Sequence, residues 1–125
     1  MVEDLQFLKR GGRISPTTAT LGAMLEIRPI LKIEADGTLT NFMKKRGTKA
    51  GLKQLVKLYE ASSNKEAGER VYIAHTDNPA AVEYLSQAVK EINPLCQLTD
   101  IMLSPVIGSH TGPGMCGIVH FGKER

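Results

Sequence analysis

The sequence has no tryptophan and only three phenylalanines and three tyrosines among its 125 residues, so stacking platforms for single-stranded nucleic acid are scarce. An excess of one charge is missing too. Sixteen basic against 13 acidic side chains leave a net charge of +3, too small and too spread out for a dedicated nucleic-acid protein. No stretch approaches the roughly 18 apolar residues of a membrane helix, and the opening Met1-Val2-Glu3-Asp4 lacks the basic-then-apolar pattern of a secretion signal. A soluble, cytoplasmic protein without a membrane span is expected. Its two cysteines, Cys96 and Cys116, show neither CxxC spacing nor a neighbouring His-Cys cluster. They read as buried thiols, and no metal or cofactor is expected.

What remains is ordinary globular composition, with 42% apolar and 23% charged residues, which argues against disorder. At this length one domain over 1–125 is expected, burying roughly two thirds of the surface of its unfolded chain. Residues 2–9 read as the last turns of a helix, already under way at the first residue and stopped by Gly11-Gly12, which suggests a truncated helix. Ser15-Pro16 opens a second helix to about Glu26. Strands are predicted near 29–34 and 38–44 around the turn dipeptide Asp36-Gly37.

Thr48 is placed to cap a helix over 49–62, with Leu52, Leu55, Val56 and Tyr59 on one face and Lys49, Lys53 and Lys57 on another. A polar loop, 64–69, leads to a β-rich run over 71–75. Asn78-Pro79 then caps a helix to about Asn93, with Val82, Leu85, Val89 and Ile92 inward. Strands over 97–103 and 115–121 follow, separated by a Gly- and Pro-rich segment. Five strands and four helices without strict βαβ alternation predict an α+β fold, a mostly antiparallel sheet covered by helices in two layers.

The segment PVIGSHTGPG (105–114) has the composition of an anion site. Gly108, Gly112 and Gly114 allow close backbone approach, and Ser109, His110 and Thr111 add donors suited to a carboxylate or phosphate. A tight connection satisfying its own turn explains the same residues, and the chemistry alone leaves both readings open. In KRGGRI (9–14), Lys9 and Arg10 read as offsets to a helix dipole, while for Arg13, beyond the cap, that reading and contact with an anion both stay open. KKRGTK (44–49) gathers cations at a strand end and a helix start without the spacing of a P-loop. His75, before Thr76-Asp77, reads as a capping residue in preference to a general base, and His120 as a sheet residue.

Five blocks, LKRGGRIS (8–15), LGAMLEIRPIL (21–31), KKRGTKAGLKQL (44–55), VYIAHTDNP (71–79) and PVIGSHTGPG (105–114), resemble in order and spacing the carboxy-terminal half of a DegV family fatty-acid-binding protein. The resemblance covers essentially the whole chain. It implies a non-enzymatic carrier in which an amino-terminal α/β domain and a carboxy-terminal α+β domain enclose one long-chain fatty acid. His110 would then hydrogen-bond the carboxylate. Some members present the acid to a fatty acid kinase for phospholipid synthesis, and Arg13 and Arg46 match the cations near the tunnel mouth. The resemblance implies that the family's amino-terminal domain has no counterpart in this sequence, so half the tunnel wall and half the carboxylate shell are expected to be missing. An acyl chain offers about 0.8 kcal/mol per buried methylene, of which an open groove recovers only part. Such a groove would also favour self-association.

Two other readings follow from the residues. A basic interaction module would use the face from Lys44 to Lys57 to bind an acidic protein or nucleic acid, with strong salt dependence. A hydrolase or transferase would use His75 or His110 as base, although no nucleophile motif accompanies either.

Overall fold

The computed structural model describes residues 1–14 and 26–123, so the helix expected from Pro16 to about Glu26 lies outside the described residues except for its last position. The predicted hairpin is present as β1 (Ile27–Ile33) and β2 (Leu39–Arg46). They pair antiparallel from Ile27 opposite Arg46 to Ile33 opposite Leu39, with a register shift between Ile30 and Leu31. At the turn, the Asp36 carboxylate accepts from the Thr38 N–H at 2.9 Å and hydroxyl at 2.6 Å. Gly37 takes the positive φ of 84° that the turn requires.

The other strands form a separate sheet in the order β4-β3-β5. Its centre is β3 (Arg70–His75), flanked by β4 (Gln97–Met102) running parallel and β5 (Cys116–His120) antiparallel. The fold is therefore α+β as expected, but the strands divide into a two-stranded antiparallel and a three-stranded mixed sheet. A parallel neighbour requires a crossover, which the helix between β3 and β4 supplies.

The two long helices cover these sheets. Leu55 and Tyr59 on α2 (Thr48–Ser62) and Leu85 and Val89 on α3 (Pro79–Ile92) are buried in one cluster with Val71 and Ile73 of β3. Spacing of three and four residues brings such side chains to one helix face. Asn78 caps α3 as expected, its side-chain oxygen accepting from the Ala81 N–H at 3.2 Å. Thr48 does not cap α2. Gly47 occupies that position without a side-chain bond, and the Thr48 hydroxyl donates instead to Glu3 at 2.9 Å. Lys49, Lys53 and Lys57 are exposed, and Cys96 and Cys116 are buried free thiols.

The helix expected over 2–9 is shorter and later than predicted. It is α1 (Leu5–Arg10), opened by Asp4, whose carboxylate accepts from the Gln6 N–H at 2.8 Å. Residues before it tie the two sheets together, with Val2 N–H donating to Pro29 at 3.2 Å and Cys116 N–H donating to Met1 at 3.0 Å. Those bonds and the Asp4 cap outcompete the helix that the apolar spacing suggests. The Gly- and Pro-rich segment also differs from expectation. Much of it is a helix, α4 (Pro105–Thr111), with Pro105 in its first turn and Gly112 ending it at φ 74°. Among the described residues no helix is long and apolar enough to cross a membrane, and no group of three His, Cys, Asp or Glu is placed to hold a metal ion.

Candidate functional site

Three of the sequence blocks meet around α4. Thr76, at the end of β3, fixes the turn that follows the helix: its hydroxyl donates to the Gly112 carbonyl at 2.6 Å, and its carbonyl accepts from the Gly114 N–H at 2.6 Å. The Asn78 side-chain N–H donates to the Gly114 carbonyl at 2.7 Å. From the other side α1 packs in. A Cβ on Gly112 would lie 2.5 Å from the Phe7 ring, and one on Gly11 would lie 2.3 Å from His110 Nδ1. The Gly-rich turn and the Gly-Gly break are thus two sides of one close approach.

Most of the donors expected to hold an anion are already engaged. Ser109 Oγ donates to the Val106 carbonyl at 2.8 Å and Thr111 Oγ1 to the Ile107 carbonyl at 2.9 Å, both within their own helix. The N–H groups of Gly108, Gly112 and Gly114 donate to Ser104, Gly108 and Thr76. No open nest of N–H groups forms from these three glycines. His110 is different. It lies in the last turn of α4, partly exposed, and its Nδ1 is buried without a hydrogen-bond partner among the described residues. One turn earlier on the helix stand Val106 and Ile107, 69% and 41% exposed, close to the chain end of β4, where Met102 is 68% exposed. An imidazole beside exposed aliphatic side chains suits an amphiphile: an anionic head at the ring and an apolar tail on the helix.

The two candidate cations are placed differently. Arg13 Nη1 donates to the Gly11 carbonyl at 2.7 Å, so Arg13 and His110 both contact Gly11. Arg46 is exposed at the end of β2. Two residues on, Thr48 bonds Glu3, whose Cγ lies 2.8 Å from where a Cβ on Gly114 would be. Glu3 Oε2 is also the partner of Arg28 Nε.

The other two histidines are structural elements of the strands. His75 is buried and its Nδ1 accepts from the Asn78 N–H at 3.3 Å, the capping role expected of it. His120 lies in β5, but alternation alone did not reveal its partners. Its Nδ1 is 3.1 Å from Glu69 Oε1 and its Nε2 is 3.0 Å from Ser62 Oγ. The buried Glu69 carboxylate also accepts from Ser63 at 2.7 Å, Asn93 at 3.0 Å and Tyr59 at 3.2 Å. Burial pushes this carboxyl up, but the bonds from Ser63, Asn93 and Tyr59 and the charge of His120 outweigh it, leaving it below its ordinary value. Ser62, His120 and Glu69 have the spacing of a nucleophilic relay. The Ser62 hydroxyl, however, donates to the Leu58 carbonyl at 2.7 Å, so its proton is turned away from His120.

Fold and site define a class: a small α+β domain that seats one imidazole on a helix terminus beside exposed apolar surface. The chain belongs to the DegV family. The family profile described as "Uncharacterised protein, DegV family" matches residues 1–123. A DegV domain-containing protein of Clostridium perfringens is 37% identical over 124 residues, which is 99% of this chain and 43% of that protein. A DegV family protein from Thermus thermophilus, described as fatty acid binding, is 32% identical with a TM-score of 0.78, over 98% of this chain and 44% of its own. A fatty acid binding DegV family protein from Streptococcus agalactiae is 27% identical with a TM-score of 0.79, over 98% of this chain and 43% of its own. The chain thus spans less than half the length of these relatives.

Proposed function

We propose that this chain is the carboxy-terminal half of a carrier for long-chain fatty acids, and that His110 donates a hydrogen bond to the ligand carboxylate. The observation that carries the reading is the face of α4, where exposed Val106 and Ile107 lie one turn from His110, whose buried Nδ1 has no hydrogen-bond partner among the described residues. The relatives from Thermus thermophilus and Streptococcus agalactiae described as fatty acid binding support the same ligand class. Gly108, Ser109, Thr111, Gly112 and Gly114 then shape and hold the site, and His110 alone contacts the head group. Handover of the bound acid to a fatty acid kinase rests on the resemblance of the sequence blocks, with Arg13 and Arg46 as the exposed cations that steer that partner.

On this reading the isolated chain offers one wall of a tunnel. It binds fatty acid weakly, and the exposed Met102, Val106 and Ile107 favour self-association. Titration of oleate into this chain, and into the same chain joined to the amino-terminal part of the Clostridium perfringens relative, tests it. Affinity is expected to rise by several orders of magnitude in the joined protein. Nanomolar binding of a single acyl chain to a verified monomer of the 125-residue chain alone contradicts the proposal.

A further inference from the structure

We infer that Gly11 is a positioning residue for His110: its bare Cα is the seat of the imidazole, burying Nδ1 and leaving Nε2 as the nitrogen offered to an anionic head group. The inference deepens the proposed function and rests on His110 being the carboxylate donor.

The two consecutive glycines at the end of α1 have separate reasons to be there. The helix closes with the Gly12 N–H donating to Lys9 at 2.9 Å and the Arg13 N–H donating to Leu8 at 2.8 Å, a pair of bonds that needs one residue at positive φ. Gly12 is that residue, at φ 69°, and a Cβ there would meet nothing within 4 Å. Gly11 precedes it at φ −77° and ψ 0°, a right-handed conformation that any residue adopts. Helix termination therefore does not ask for glycine at 11. The imidazole does. A Cβ at Gly11 would lie 2.3 Å from His110 Nδ1 and 3.3 Å from Cγ and Cε1, closer than atoms can pack.

The same contact selects a tautomer. A proton on the buried Nδ1 would be a donor without an acceptor among the described residues, whereas Nε2 is not among their buried, unpartnered atoms. We assign the proton of the neutral ring to Nε2 on that ground. Arg13, donating to the Gly11 carbonyl, holds the seat from its other side. The ring is thereby fixed before any ligand arrives, which reduces the ordering cost of binding.

The test is nitrogen-15 NMR of the imidazoles in this chain, labelled at histidine and held at a pH where the rings are neutral. Wild-type His110 is expected in the Nε2–H form. Gly11→Ala should shift the His110 ring signals strongly and leave His75 and His120 unchanged. Gly117→Ala, a control where a Cβ meets nothing within 4 Å, should leave all three unchanged. A wild-type ring in the Nδ1–H form overturns the inference, as does a Gly11→Ala spectrum with His110 as in the wild type. Should Gly11→Ala fail to fold, the wild-type tautomer still decides, and the double variant Gly11→Ala/His110→Ala should fold like His110→Ala alone. Oleate titrated into the same variants of the protein joined to the amino-terminal part of the Clostridium perfringens relative separates the inference from the reading beneath it. Gly11→Ala should weaken oleate binding at least tenfold with His110 present and have no further effect in the His110→Ala background. Equal oleate affinity in wild type and His110→Ala removes the carboxylate role, while the tautomer result still decides the seat.

Discussion

The Thr76 hydroxyl bridges the turn beyond His110, donating to the Gly112 carbonyl at 2.6 Å and accepting from the Met115 N–H at 3.1 Å. Thr76 is buried, so removal of its hydroxyl leaves two backbone groups without that partner. Thr76→Val keeps the shape and deletes both bonds, and should cost about 2 kcal/mol. Urea unfolding checks the value, and hydrogen exchange at Met115 should accelerate in the variant.

Gly112 and Gly37 have nearly the same positive φ, 74° and 84°, in different surroundings. A Cβ on Gly37 meets nothing, whereas one on Gly112 meets the Phe7 ring. Gly37→Ala should therefore cost only the backbone penalty, about 1 kcal/mol, and Gly112→Ala about 3 kcal/mol or more. Adding Phe7→Ala to Gly112→Ala should recover part of the difference. Thermal melts of the three variants test this, and equal losses at Gly37 and Gly112 would show that the ring contact is unimportant.

These positions show how much the sequence disclosed. The hairpin, α2, α3 and the three strands of the second sheet follow from local signals: Asp36-Gly37, the apolar period of Leu55 and Tyr59, and the Asn78-Pro79 cap. The helix at 105–111 was hidden because Gly108 and the β-branched Val106, Ile107 and Thr111 are weak helix formers. Ser104-Pro105 is nonetheless the same kind of start signal as Asn78-Pro79. The candidate site was legible as the segment around His110, but not in the engagement of its donors, because whether Ser109 and Thr111 bond a ligand or their own helix depends on that helix forming. Glu69 was unreadable for another reason: its partners Tyr59, Ser63, Asn93 and His120 come from separate stretches of chain.

That buried carboxylate gives the acid side of the stability curve. Its folded value lies below the ordinary one, so its contribution is present above the unfolded value of about 4.3 and is lost as pH falls through the folded value. Melting temperature should drop on acidification below about pH 4. Glu69→Gln should lower stability at pH 7 by about 2–4 kcal/mol and flatten the acid limb. An unchanged acid limb in the variant would remove Glu69 from the account.

Cys116 acts on the alkaline side. Burial pushes its thiol up to about 11, and the amino-terminal charge offsets only part of that rise. Its contribution is complete below the unfolded value of about 8.5 and is lost as pH rises towards the folded one. Burial also raises the Tyr59 hydroxyl, which adds to the same loss at higher pH. Native protein should resist thiol reagents at pH 8 and react at both Cys96 and Cys116 once unfolded in guanidinium. Rapid labelling of Cys116 in folded protein at pH 8 would contradict its burial.

His110 and Arg46 should separate binding from delivery in the protein that includes the amino-terminal half. On the proposed function His110 offers its ring to the head group beside apolar Val106 and Ile107, so His110→Ala should remove a charge-assisted hydrogen bond worth about 1.5–3 kcal/mol. Fatty acid affinity should fall about ten- to a hundredfold with little change in melting temperature, because no partner within the described protein loses a bond to Nδ1. Arg46 is exposed at a strand end, where a cation steers a charged partner more than it holds an acyl chain. Arg46→Ala should bind fatty acid normally and slow kinase-dependent acyl phosphate formation, with the defect largest at low salt, where steering is strongest. Calorimetric titration with oleate and a phosphorylation assay on both variants distinguish the roles. Unchanged oleate affinity in His110→Ala, or normal acyl phosphate formation in Arg46→Ala across a salt series, would refute the corresponding assignment.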